Sequence, residues 1–404
     1  MHALSVLKVW FERNCASMHA ARHRALLRVV QGLLVGGKAS LTAIGRHVMS
    51  DSREKAGIKC VDRLLGNRHL HEEREQVYRG LSAWLLSLTP RPLLLIDWSD
   101  VCPGHQFVML KAAVPVGGRA LTVYEEVHPL KRHNSPRTHR AFLKRLSRVL
   151  PPGCCPIVLT DAGFRGPWFR EVESLGWDWI GRVRNNVKLR LSTETTWKLN
   201  TSLYQTATGK PTYVGAGHLS IQQPYACHLH LYRGFKRGPG RPRQPFRSTL
   251  THKRSRHAAR EPWLLATSLP AHEWTARHVV QAYRKRMQIE ESFRDMKNAR
   301  WGYGLEYARC HSAARLENLL LLITLAILAT WFAGLAGKAA GLERRLQANT
   351  ERKRTVLSVQ FLGRRLLSAK STLLSPRAIR KAAWALPRML YEHSRVEDLI
   401  VGIP

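Results

Sequence analysis

Acidic side chains are scarce: the 404 residues hold 28 Asp and Glu against 65 Lys and Arg, a formal net charge of +37. So large an excess excludes a cationic partner and demands a polyanion or an anionic membrane surface, with nucleic acid the first reading. Cysteine is sparse too. The seven thiols (Cys15, Cys60, Cys102, Cys154, Cys155, Cys227 and Cys310) include no CxxC pair, which excludes a disulfide framework and a structural zinc site and leaves reduced thiols of a cytoplasmic protein. Arg13, Arg22, Arg24 and Arg28 interrupt the first 35 residues, so the apolar block of a secretory signal is missing. Long hydrophobic runs are few. Residues 319–336, LLLLITLAILATWFAGLA, match a membrane span in length, but a core helix that is apolar all round has the same composition. No second span accompanies them, and the expectation is a buried core helix and no membrane partner. An apolar content of 44% over this length supports two or three domains with a sizeable core.

Taken in order, residues 1–90 read as a helical DNA-end-binding region. SLTAIGRHV, with Ser40 as N-cap, and IKCVDRLLGN form two short helices about a polar turn, a helix-turn-helix pattern in which Lys59 and Arg63 are candidate DNA contacts. The pattern changes at Pro92. PLLLIDWSD is an apolar strand delivering Asp97 at its end, and QFVMLKAAVPV and RALTVYEEVHP follow as strands about Gly117-Gly118. Ser135-Pro136 opens a helix, PIVLTD is a strand ending in Asp161, GPWFREVESLG a helix, and WDWIGRVR a strand. This order of elements is that of the ribonuclease H fold. The expected architecture is therefore α/β: a ribonuclease H-like mixed-sheet core in two parts, 91–184 and 261–340, interrupted by a β-rich insertion at 185–260. Helical regions flank it, the C-terminal one at 341–404 being assigned to packing, DNA contact or self-association.

The insertion ends in a basic loop with ten Lys or Arg and no acid between Arg233 and Arg260. Arg237, Arg241, Arg243, Lys253 and Arg254 are its candidate phosphate contacts. EPWLLATSLP then gives a strand leading to residues 275–297, TARHVVQAYRKRMQIEESFRDMK. At about 100° per residue, Tyr283, Arg286, Glu290 and Lys297 share an arc of roughly 60° on one helix. Glu291 lies about 100° away from Glu290 on that wheel. Asp97, Asp161 and Glu290 are three carboxylates in fold order, the hard oxygen set that holds two Mg²⁺ ions about 3.5–4 Å apart for phosphoryl transfer.

Tyr283, Arg286, Glu290 and Lys297 also have the Y-x2-R-x3-E-x6-K spacing of the transposases of the bacterial IS4 family, and the chain resembles that family from about residue 58 to 360. The resemblance implies a cut-and-paste DNA transposase with a DDE triad of Asp97, Asp161 and Glu290. Its cofactor would be Mg²⁺, with Mn²⁺ as a substitute, and its partners double-stranded DNA, as terminal inverted repeats and target, and a second copy of the chain. It also implies nicking, a hairpin intermediate and strand transfer, with Tyr283, Arg286 and Lys297 on phosphates near the cut end. Trp263 matches the relative position of a base-stacking aromatic, though a core Trp reads the same way. Position 287 is Met where some relatives carry a second aromatic. A non-catalytic DNA-end-binding protein is the alternative.

Overall fold

The computed structural model describes residues 2–48, 53–101, 104, 106–234, 261–348, 350, 354–368 and 373–394. The chain opens with helices α1 (His2–Asn14), α2 (Ala20–Gly36), α3 (Leu41–Arg46), α4 (Glu54–Leu65) and α5 (Arg68–Leu85). Strands β1 (Leu93–Asp100), β2 (Phe107–Val116) and β3 (Arg119–Pro129) follow, then α6 (Pro136–Val149), β4 (Ile157–Thr160), α7 (Gly166–Ser174) and β5 (Asp178–Val183). Next come β6 (Lys188–Leu191), β7 (Lys198–Leu199), β8 (Thr212–Leu219), β9 (Tyr225–Tyr232) and β10 (Trp263–Thr267). The remaining helices are α8 (Ala276–Arg284), α9 (Met287–Lys297), α10 (Ala313–Ala339), α11 (Leu342–Leu346), α12 (Val359–Ser368) and α13 (Pro376–Ser394). Two compact units divide these elements: Met1–Pro156 with Met287–Ser394, and Ile157–Arg286.

In the first unit β1, β2 and β3 form an antiparallel meander, with Asp97 opposite Lys111 and Lys111 opposite Glu125. Paired residues share a face of the sheet and neighbours along a strand alternate. One face takes α6, whose Arg145 pairs with Glu126, while Trp98 donates to His139 of α6 at 3.1 Å. The other face takes α9 and α10: Ser292 Oγ accepts from Ala120 N at 2.7 Å, and Thr324 Oγ1 donates to Glu125 Oε1 at 2.9 Å. Covered on both faces, β2 and β3 are buried along almost their whole length.

Helix α10 is the apolar run that fits a membrane span by length, and 94% of its most apolar window is buried inside the protein. It is a core helix. Its polar side chains confirm the packing, since Asn318 Nδ2 donates to Leu65 O at 2.9 Å and Thr330 Oγ1 contacts Tyr303 OH at 2.9 Å. α12 crosses it backbone to backbone, because a Cβ on Gly363 would overlap the carbonyl of Thr330 and one on Gly334 that of Val359. Gly363→Val is expected to cost about 3 kcal/mol through this overpacking, read as a lower urea midpoint. An unchanged midpoint would contradict the crossing.

The second unit is a mixed sheet of order β4-β5-β10-β9-β8-β6-β7. β4 and β5 run parallel, and the other neighbours pair antiparallel. Strands from the expected insertion therefore continue this sheet through β10, with Trp263 opposite Tyr232 and Thr267 opposite His228. Arg237, Arg241, Arg243, Lys253 and Arg254 lie outside the described residues.

One expectation is corrected. Residues 275–297 form two helices, not one: Lys285 N and Arg286 N each bond three residues back, to Ala282 O and Tyr283 O at 3.0 Å, and α9 starts anew at Met287. The i to i−3 pattern tightens and ends α8, and the two units part between Arg286 and Met287. The shared arc of Tyr283, Arg286, Glu290 and Lys297 therefore does not exist as a continuous helical face. Glu290 and Lys297 keep theirs, because seven residues make nearly two whole turns of α9.

Candidate active site

Asp97 stands where β1 leaves the core: Leu93 to Ile96 are buried, Asp97 to Ser99 half-buried and Asp100 exposed. Its Oδ1 accepts from Trp98 N at 2.8 Å, which fixes the carboxylate against its own backbone. Ser99, two residues on, shares its face and accepts from Lys297 Nζ of α9 at 2.7 Å. Burial lowers the Lys297 pKa, while Asp100, Glu306 and Asp97 act in the opposite direction. Glu290 is half-buried in the first turn of α9, on the face that carries Lys297. The structure thus brings Asp97, Glu290 and Lys297 into one unit, on a strand and a helix joined by the Lys297–Ser99 hydrogen bond.

Glu291 is engaged otherwise. Arg294 lies 2.8 Å and Arg119 3.8 Å from its carboxylate, and Arg119 also holds Asp295 at 2.6 Å. Lys111 is a residue that sequence reasoning passed over. It is 1% exposed, lies opposite Asp97, and holds Glu125 at 3.0 Å and Met296 Sδ at 2.9 Å. A lysine in the middle of QFVMLKAAVPV was the available signal.

The second unit carries Asp161, Trp263, Tyr283 and Arg286. Asp161 follows β4 half-buried, and its Oδ1 accepts from Gly163 N at 2.9 Å. Directly after it opens a cavity of about 420 Å³ lined by Arg165, Arg170, Arg182, Arg184 and Lys188 among others. Arg182 and Arg184 alternate onto one face of the chain entering and leaving the end of β5, a period legible in WDWIGRVR. Glu261 holds Arg184 at 2.6 Å. Trp263 is half-buried and meets Tyr232 and Tyr283 edge-on at 5.8 and 5.3 Å between ring centroids. Tyr283 itself is only 4% exposed, with the Arg286 guanidinium 6.0 Å from its ring centroid. In the helical N-terminal region, Lys59 and Arg63 are exposed one turn apart on α4 and line a cavity of about 450 Å³ with Arg22.

Behind Asp97, burial first, and then His133 and His128, lower the His139 pKa from 6.5 to about 4. Its Nε2 accepts the Trp98 indole hydrogen bond and must be unprotonated to do so. The unfolded chain binds this proton near the ordinary value, so stability present at neutral pH is lost as pH falls from about 6.5 to 4. The loss is about 3 kcal/mol at the lower end. His230, also at about 4 through burial and then His228, acts with the same sign. Urea titrations across that window check the slope, and a His139→Asn variant with an undiminished slope would contradict the assignment.

Half-buried carboxylates on β1, directly after β4 and on α9, in a chain of net charge +37, are what an enzyme acting on nucleic-acid phosphates would require. The family model of the transposase DDE domain matches residues 89–328, more than half of the chain, which belongs to that family. Its reaction class is accordingly DNA phosphoryl transfer, and DDE transposases generally use divalent metal ions. No curated protein matches the chain. Among solved structures, it is similar to the cryo-EM structure of a piggyBac transposase synaptic complex with hairpin DNA, at 13% identity and a TM-score of 0.37, over 92% of this chain and 78% of that one.

Proposed function

We propose that this protein is a cut-and-paste transposase of an insertion sequence of the IS4 type. It acts in the cytoplasm as a homodimer on terminal inverted repeats and then on target DNA. KCVDRLLGNRHLHEER, LLLIDWSD and RMQIEESFRDMK further resemble the transposase of insertion sequence IS10. One observation carries the reading: Asp97 is half-buried where the apolar half of β1 gives way to its polar half, three residues before the strand ends, and Ser99 of the same strand is bonded to the Glu290-bearing helix through Lys297. Lys297, bonded to Ser99 two residues along the strand from that acid, is a cation that a phosphate can share.

Asp97, Asp161 and Glu290 would hold the metal ions. Their donors are hard carboxylate oxygens, and backbone N–H groups already orient Asp97 and Asp161, a set suited to Mg²⁺ or Mn²⁺ rather than to a soft metal. When bound, two such ions supply an activated attacking oxygen and neutralise the leaving one. Lys297 and Arg286 place the scissile strand by charge-assisted bonds to its phosphates. Lys59 and Arg63, with the basic segment carrying Arg237, Arg241, Arg243, Lys253 and Arg254, grip the flanking duplex. Trp263 stacks on a base displaced from the strained end.

The hairpin step has its own readout. End-labelled donor DNA incubated with the protein is expected to yield a strand of doubled length on a denaturing gel, as the 3′-OH joins the opposite strand. Double-strand breaks that never pass through that species would contradict the hairpin route while leaving the transposase reading intact.

A further inference from the structure

Beyond the catalytic residues, the turn that follows α9 displays an aromatic side chain to solvent from a fixed mount. Trp301 is 51% exposed, yet Asn298 Oδ1 accepts from both Arg300 N at 2.8 Å and Trp301 N at 2.7 Å. Tyr303, two residues on, is buried, and its N–H donates to Asp295 O at 2.9 Å. A Cβ on Gly302 would overlap that same carbonyl. A rigid turn that holds a large indole out of the core gives the fold little in return.

The surroundings say what the indole meets. The Arg300 guanidinium lies over one face of the Trp301 ring, 4.6 Å from its centroid, and Phe361 of α12 stands edge-on at 5.6 Å. Together with Arg364 and Arg365 they line a cavity of about 420 Å³ that has no carboxylate among its described lining residues. Arg364 donates to Gly302 O and, at 3.2 Å, to Gly37 O, while Arg365 donates to Leu346 O at 3.0 Å. Arg364 and Arg365 are therefore tethered in place, while Arg300 is exposed. An exposed indole with guanidinium groups around it, two of them held by backbone carbonyls, suits a planar base flanked by phosphates.

We propose that this pocket is a second DNA site, which receives one unpaired nucleobase stacked on Trp301 with the adjoining phosphates at Arg300 and Arg365. The proposal rests on the reading of the protein as a DNA-acting enzyme but uses none of its catalytic residues. It also separates two kinds of DNA contact. Within a duplex each interior base is stacked on both faces, whereas the single strands exposed during excision or at a distorted target offer free base faces.

The test uses the full chain in EDTA with short oligo(dT) carrying one 5-iodouracil. Irradiation is expected to crosslink the probe to Trp301, located by mass spectrometry. Trp301→Ala should weaken oligo(dT) binding about tenfold, the loss of one base stack. Trp301→Phe should stay within about threefold of the original, and binding of a fully paired duplex should not change. A crosslink elsewhere, with Trp301→Ala binding unimpaired, overturns the proposal; so does equal loss of duplex binding, which marks a general electrostatic or folding effect. If the Trp301 crosslink stands but Mg²⁺ elicits no strand breakage, the transposase reading fails and the pocket survives.

Discussion

Glu290→Gln is expected to retain DNA binding and lose strand cleavage, by a factor on the order of 10⁴, the scale of removing one member of a catalytic unit. The amide keeps the shape of the side chain and removes the charge that a divalent ion would require. Glu291→Gln is the matched control, one residue away. Glu291 is tied to Arg294 at 2.8 Å and to Arg119 at 3.8 Å, so its loss removes partly exposed pairs worth about 0–1 kcal/mol and should leave cleavage within a few-fold of normal. Loss of cleavage from Glu291→Gln together with its survival in Glu290→Gln would invert the assignment. Equilibrium binding to end DNA, measured beside cleavage, separates a chemical defect from misfolding.

Glu317→Leu should destabilise the first unit by about 3–5 kcal/mol, because it leaves a buried cation without its partner. Glu317 of α10 accepts from Arg74 of α5 at 2.8 Å, from Val127 N of β3 at 2.9 Å, and meets His71 at 2.6 Å. Arg74 also donates to Glu125 O at 2.9 Å, and Glu125 takes Tyr78 OH at 2.9 Å and Lys111 at 3.0 Å. This chain of buried polar groups ends on Lys111, opposite Asp97, so a denaturant midpoint and cleavage activity should fall together. Arg74→Met added to Glu317→Leu should recover part of the stability, since the stranded charge is then gone. Arg68→Ala, which breaks an exposed pair with Glu72, should change stability by less than about 0.5 kcal/mol. A Glu317→Leu protein that unfolds at the original midpoint would show that the network is not structural.

Local pattern made much of the fold legible. PLLLIDWSD, QFVMLKAAVPV, RALTVYEEVHP and WDWIGRVR became β1, β2, β3 and β5 because apolar runs, a Gly-Gly turn and β-branched residues agree at each place. The 319–336 run was ambiguous by composition alone. Partners from distant segments, Leu65 for Asn318 and Arg74 for Glu317, settle it as core, and no local window contains them. The break between α8 and α9 was illegible: YRKRMQ has neither Gly nor Pro, and the boundary follows from which unit each side packs into. Register across long gaps was equally hidden. β10 pairs with β9 although 30 residues separate Tyr232 from Trp263, and pairing of that kind depends on the assembled sheet. The same holds for Lys111 and Arg182, whose importance arises from neighbours, Asp97 across the strand for one and the cavity beyond Asp161 for the other.

The most direct test incubates the purified protein with linear DNA bearing the element's own ends, in Mg²⁺ and separately in EDTA, and resolves the products on a denaturing gel. Nicks, then joined products, are expected in Mg²⁺ and intact strands in EDTA, with Asp97→Asn, Asp161→Asn and Glu290→Gln each inert in Mg²⁺. Tight binding of the ends without strand breakage in either Mg²⁺ or Mn²⁺ would contradict the transposase reading and leave a non-catalytic end-binding protein.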